Sequence, residues 1–249
     1  MTPEQVAAAS RPHVLELGER FTRCPRTLRR ARLLGISGWA FHIVGRAGAL
    51  GDVRAPTVAA ALGFIAPEAV VDGWDGAARV VRPLEVAEAS LAECCRWGDE
   101  NLAHLPGVDR LAALLHRVID TADAGGMPLF AARRAMTAPG DSPGARAALG
   151  LLLLREQFAG AYLMAVRAGG MTPLEALLAG PEGEAGALAC GWPPPYPRIG
   201  PQVRRRLWAE AVTDRLTSAG FCALAPDERA ALLDLLAATR ARVQGRPSS

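Results

Sequence analysis

The chain has 249 residues, half of them apolar and about a fifth charged, which is enough to bury a real core and excludes a disordered polymer. All 28 basic residues are arginine, against 25 acids, and a net charge of +3 spread over the whole length gives no strong footprint for nucleic acid. The five cysteines, Cys24, Cys94, Cys95, Cys190 and Cys222, are odd in number and lack C-x-x-C and zinc spacing, so they read as reduced, mostly buried thiols.

The chain opens without a basic segment followed by an apolar run, so no signal peptide is expected. The longest apolar stretch, 147–154, is too short to cross a bilayer before Arg155 and Glu156 interrupt it. The expectation is a soluble cytoplasmic protein with no membrane partner.

Nothing alternates with a period of two, whereas helix starts are frequent. Thr2-Pro3-Glu4-Gln5 sets a capping residue, a first-turn proline and a reciprocal amide in order, and Thr172-Pro173-Leu174-Glu175 repeats the arrangement. Asp141 or Ser142 before Pro143, and Ala225 before Pro226, mark two more starts. The spacing predicts helices over 3–10, 12–22, 26–34, 37–47, 56–63, 67–73 and 83–105. Further helices are expected over 109–124, 128–136, 143–168, 173–179, 183–190, 201–219 and 226–243. The fold class is all-α, a compact multi-helix bundle.

Two joints interrupt this series. The turn-rich TAPGDSPG at 137–144 separates an N-terminal helical half, 1–136, from a C-terminal half, 143–249, the two expected to form one compact body. CGWPPPYPRIGP at 190–201 must be extended, because successive prolines exclude helix. The tail QGRPSS is expected to fray.

Two stretches carry a family resemblance. Residues 38–74 contain an aromatic helix, then Gly45-Arg46-Ala47, Leu50-Gly51, Phe64-Ile65-Ala66-Pro67, Val70 and Trp74. Residues 151–221 contain LLREQFAGAYLMAVRAGG, an L-E-A-L helix, Gly191-Trp192 and LWAEAVTDRLTSAGF. Together they resemble a large actinobacterial family of helix-turn-helix-type proteins, with a winged-helix-like second half. Two departures stand out. Where the family's central helix has two histidines, this chain has Gln157 and Tyr162 near those places. After Gly220 it passes almost directly into the next helix, leaving no room for two strands and a turn, so the second half reads as a wingless derivative.

The residues that need a function lie in the central helix. Arg155, Glu156 and Gln157 follow four leucines and precede Phe-Ala-Gly-Ala-Tyr-Leu-Met, which leaves no exposed polar stripe. As neighbours, Arg155 and Glu156 diverge by about 100° and are not expected to pair with each other. A buried charge costs several kcal/mol unless it is partnered, so ion pairs to other helices or a ligand must compensate them. Ala159, Gly160 and Ala161 leave space beside the charged groups. Trp39, His42 and Arg46 share one face of the helix at 37–47, with His42 and Arg46 one turn apart.

The candidate site assigns Glu156 and His42 to proton transfer. Arg155, Arg46, Gln157, Tyr162 and Trp39 are assigned to substrate binding. The four histidines show no ligand spacing, and no nucleotide, nucleophile or dinucleotide motif is found, so neither a metal nor a cofactor is expected.

Three functions compete. The first is a small-molecule enzyme, or the partner subunit of one, in specialised-metabolite and antibiotic biosynthesis. It would act on an anionic substrate by metal-free and cofactor-free lyase- or transferase-type chemistry, such as elimination or intramolecular displacement; a homo- or hetero-oligomer fits it equally well. The second is a winged-helix-like transcription regulator. Specific nucleic-acid binding is not expected, because AEAVTDRL after Trp208 sets Glu210 and Asp214 against Arg215 alone. The third is a non-catalytic ligand-binding or interaction protein.

Overall fold

Thirteen α-helices, two short 3-10 turns and no strand make up the regular structure of residues 1–200 and 202–245, the residues described by the computed structural model. In chain order they are α1 (Pro3–Leu17), α2 (Pro25–Leu33), α3 (Gly38–Ala47), α4 (Ala55–Leu62), α5 (Pro67–Ala78), α6 (Pro83–Asn101) and α7 (Val108–Thr121). There follow α8 (Pro128–Arg134), α9 (Pro143–Ala168), α10 (Pro173–Leu178), α11 (Gly183–Ala189), α12 (Gln202–Phe221) and α13 (Pro226–Gln244).

The starts follow from local chemistry. Thr2 and Thr172 each accept the third backbone N–H of their helix, while Gln5 and Glu175 accept the cap N–H in return. At the joint before α9 the cap is Ser142, whose hydroxyl accepts Ala145 N–H at 3.1 Å. Glu228 accepts the Ala225 N–H at 2.8 Å ahead of α13.

Several helix bounds differ from those expected. No break falls between residues 10 and 12, since α1 runs through Pro12. A proline there deprives one carbonyl of its donor, and fully buried Val6, Ala7, Val14 and Leu17 outweigh that loss by packing. The second expected segment ends instead as a short 3-10 turn, Arg20–Arg23. Helix α5 continues past 73 because Trp74 and Ala77 extend its buried face, and α6 stops at Asn101 instead of 105. Residue 201, the expected start of α12, and residues 246–249 of the expected frayed tail lie outside the described residues.

Helix α9 is the axis of the molecule, and α6, α7, α12, α1 and α8 all pack on it. Leu151–Leu154 and Phe158 join the main core, together with residues of α1, α6, α7, α12 and α13. By length and composition α9 could cross a membrane, yet two thirds of its most apolar window is buried inside the protein, as befits a core helix. The crossing with α6 is tight: a Cβ on Gly98 would stand 2.3 Å from the Gly144 carbonyl oxygen and one on Gly144 would stand 2.6 Å from that of Gly98, so neither position tolerates a side chain.

A second core joins α3, α4, α5 and α6 with Leu129 of α8. A third, smaller one collects the end of α9 with α10 and α12. Helix α1, from the first half of the chain, packs on α9, α12 and α13 of the second. Between α12 and α13 only residues 222–225 intervene, too few for a hairpin wing.

Candidate functional site

Where α1, α3, α8 and α9 converge, six ionisable side chains meet. Arg46, in the last turn of α3, grips Glu156 of α9 with both prongs: Nε donates to Oε1 and Nη2 to Oε2, each at 3.0 Å. Arg155 donates from Nη1 to the same Oε1 at 3.3 Å and from Nη2 to Glu19 at 2.5 Å. The expectation that Arg155 and Glu156 would not pair is therefore corrected. The long guanidinium stem bends back along the helix, because Glu19 and Glu156 draw it to one focus.

Glu19 reaches this focus because it follows Gly18. A Cβ there would sit 2.7 Å from the Leu151 carbonyl oxygen and 3.0 Å from the Arg155 Cβ, so glycine alone lets the end of α1 touch α9. Arg133 of α8 lies 1 % exposed and donates to the Gly45 carbonyl at 2.7 Å. Its Nε and Nη2 have no protein partner, nor has the Nε of Arg155. His42, one turn before Arg46, completes the ring.

The electrostatics follow from this geometry. Burial pushes the Glu156 carboxyl up, but Arg46 and Arg155 outweigh it and hold the group at about 2. Burial lowers His42, and the two neighbouring guanidiniums lower it further, to about 3. For Glu19, burial acts upward while Arg155 brings the net shift below the ordinary carboxylate value. At neutral pH the cluster thus holds three guanidiniums, two carboxylates and a neutral imidazole, one positive charge in excess. Both Glu156 and His42 are proton acceptors here, weak ones while the arginines stay close.

Two small clefts flank the Arg46–Glu156 pair. One, about 10 Å³, is lined by Glu19, His42, Ser90, Arg133 and Arg155. The other, about 20 Å³, lies between α4, α8 and α9, with Ala61, Met127, Ala159 and Gly160 in its wall. Each has room for about one water.

The remaining expected site residues lie elsewhere. Gln157 is 1 % exposed, with neither amide atom partnered within the protein. Two residues on from Arg155, it points about 200° away and lines neither cleft. Tyr162 is also outside the cluster: seven residues put it about 10 Å further along the helix, where it stacks on Phe64 at 5.3 Å. Trp39 stacks on His42 at 6.0 Å but donates to the Ala69 carbonyl and borders a separate hollow of about 330 Å³. Ile36, Ser37 and Asp72 line that hollow, which contains none of the six cluster residues.

Glu19 and Arg133 were not foreseen. Arg133 left a trace, because it lies one turn from Phe130 on the buried face of α8. Glu19 left none, since only the contact made by Gly18 brings it in. Burial raises the Cys94 thiol, and raises Cys95 to about 11, so neither is a thiolate at neutral pH. Among the described residues, no group of three or more His, Cys, Asp or Glu side chains is arranged so that it could hold a metal ion.

The charge pattern on α12 also needs correction. Asp214 is buried at 8 % exposure, with Arg11 Nε 3.5 Å from its Oδ1, and Glu210 accepts from Arg206. Neither acid dominates the exposed side, where Arg204, Arg205, Leu207 and Trp208 emerge, so their repulsion of phosphate is weaker than the bare sequence implies.

No curated protein and no solved structure matches the chain. A family model does: it spans residues 19–196, from Glu19 through every other member of the ion cluster to the proline-rich connection, and stops before α12. On that match the chain belongs to a helix-turn-helix family.

Proposed function

We propose that the protein is a small-molecule enzyme, or the partner subunit of one, in specialised-metabolite biosynthesis, and that its substrate is anionic. The observation that carries this is the excess of buried guanidinium: three arginines face two carboxylates, and Arg133 and Arg155 keep N–H groups without protein partners. Unpartnered buried donors cost free energy, and a carboxylate, sulfate or phosphate would satisfy them while neutralising the cluster.

In an elimination or intramolecular displacement the arginines would hold the departing oxyanion, which leaves with its bonding electron pair. Glu156 or His42 would take the proton released by the substrate as the new bond forms. Arginine supplies the charge stabilisation in this scheme without help from a metal.

Titration calorimetry with sulfate, inorganic phosphate and acetate tests the reading. Wild type should bind at least one, and Arg155→Gln and Arg133→Met should each bind it at least tenfold more weakly. Failure of all three anions to bind, or equal binding by folded variants, would sink the proposal.

A second reading, a transcription regulator, is favoured by family membership and by Arg204, Arg205 and Trp208 on the open face of α12. Fluorescence anisotropy with duplex DNA separates the two. Tight binding that discriminates between sequences at physiological salt supports the regulator, whereas weak, salt-sensitive binding does not.

A further inference from the structure

Arg46 and Glu156 are the two side chains that line both small clefts, so their ion pair is the partition between them. The clefts differ in character. On the α1 side Arg133, Arg155, Glu19 and His42 stand among Phe21, Phe41 and Leu152; on the α4 side every lining residue apart from the ion pair itself is small or apolar, among them Ala61, Leu62, Met127 and Ala159. At about 10 and 20 Å³, neither can take more than a water while the partition stands. Joined, they would form one elongated cavity with a cationic end and an apolar end.

We propose that the Arg46–Glu156 pair is a latch that a substrate opens: a forked oxyanion carried on a short apolar body takes the place of Glu156 on Arg46, merges the two clefts and releases Glu156 as a base. The inference rests on the anion-binding reading above and adds to it the substrate's shape and the order of events.

Three observations support the exchange. The fork of Arg46, bonded through Nε and Nη2 at 3.0 Å each, accepts any ligand presenting two oxygens side by side, as carboxylate, sulfate and phosphate do. Displaced, Glu156 keeps Arg155 beside it, 3.3 Å away, so its charge is not left alone in the interior. The incoming anion also cancels the positive charge in excess.

Release changes the chemistry of Glu156. Arg46 is the largest influence holding its carboxyl at about 2, against the upward push of burial. Without that grip the same buried group becomes markedly more basic. Proton acceptance would thereby begin only once a substrate is seated, a form of induced fit.

Glu156→Gln removes the competing carboxylate while keeping its shape, and should bind sulfate at least tenfold more tightly than wild type by calorimetry. Ala159→Leu crowds the α4-side cleft while leaving both residues of the ion pair in place. Wild type should bind butyrate more tightly than acetate, and this variant should lose that preference while keeping its sulfate affinity. Equal or weaker sulfate binding by folded Glu156→Gln would overturn the latch, and so would an unchanged butyrate preference in Ala159→Leu. If Glu156→Gln does not fold, the Ala159→Leu comparison decides alone. If no anion binds wild type or either variant, the anion-binding reading fails first and takes the latch with it.

Discussion

Replacing Arg46 by methionine keeps the apolar stem and removes the fork, leaving Glu156 buried with Arg155 as its remaining direct partner. A carboxyl held at about 2 instead of its ordinary 4.5 contributes roughly 3 kcal/mol of stability at neutral pH, at about 1.4 kcal/mol per tenfold change in its ionisation constant. Loss of one partner of a buried ion pair typically costs about 3–5 kcal/mol, so the two routes agree near the lower end. Because the folded pKa lies below the unfolded one, this stability is complete above about 4.5 and disappears as pH falls toward about 2. Wild type should therefore lose roughly 2 kcal/mol from this group by about pH 3. In Arg46→Met the Glu156 pKa rises and His42 loses a neighbouring cation, and both changes flatten the curve of stability against pH. Urea unfolding across this pH range measures both proteins. The gap between them should be about 3 kcal/mol near neutral pH and should close by more than half near pH 3. Parallel curves, or a gap below about 1 kcal/mol at neutral pH, would refute the account of the cluster.

Three other substitutions probe the surroundings of the pair. His42, with a folded pKa near 3 against an ordinary 6.5, binds its proton more readily when unfolded, so its contribution is present above about 6.5 and is lost on acidification. His42→Gln should recover at least about 2 kcal/mol near pH 4, relative to its effect at neutral pH, and an unchanged difference between the two pH values would contradict the burial of the ring. Gly18→Ala forces a methyl against the Leu151 and Val14 carbonyls and should lower stability by about 2–3 kcal/mol, with a smaller Arg155–Glu19 coupling energy in a double-mutant cycle. Gln157→Leu replaces an amide without protein partners by an apolar group of similar size, so thermal unfolding should shift upward by a few degrees, about 1 kcal/mol. A downward shift would show that the amide is satisfied in solution.

The fold was largely legible because it is written in short-range signals. Capping residues, first-turn prolines and the joint at 137–144 depend on neighbours in sequence, and the structure places helix starts at Thr2, Ser142, Thr172 and Ala225 accordingly. Helix ends were harder to place. The run of α1 through Pro12 and the extension of α5 to Ala78 are decided by long-range packing, which local propensity does not contain.

The candidate site divides along the same line. That Glu156 is buried and Arg155 largely so could be inferred from the apolar residues around them, and the one-turn spacing of His42 and Arg46 put those two on a common face. What sequence could not supply was how far the polar focus extends along α9, or who else reaches it. It ends within a single turn, which is why Tyr162 joins Phe64 instead, and why Gln157 points away from it. The partner that completes it, Glu19, comes from a helix end 136 residues away in sequence, through a glycine with no side chain to announce the contact. The surface of α12 is likewise set by packing. Glu210 and Asp214 count as repulsive acids when α12 is read by itself, but Arg206 and Arg11 neutralise them once the helix is packed, and α12 then shows arginine and tryptophan to solvent. A charge in this protein acts through what faces it, and that is a property of the fold.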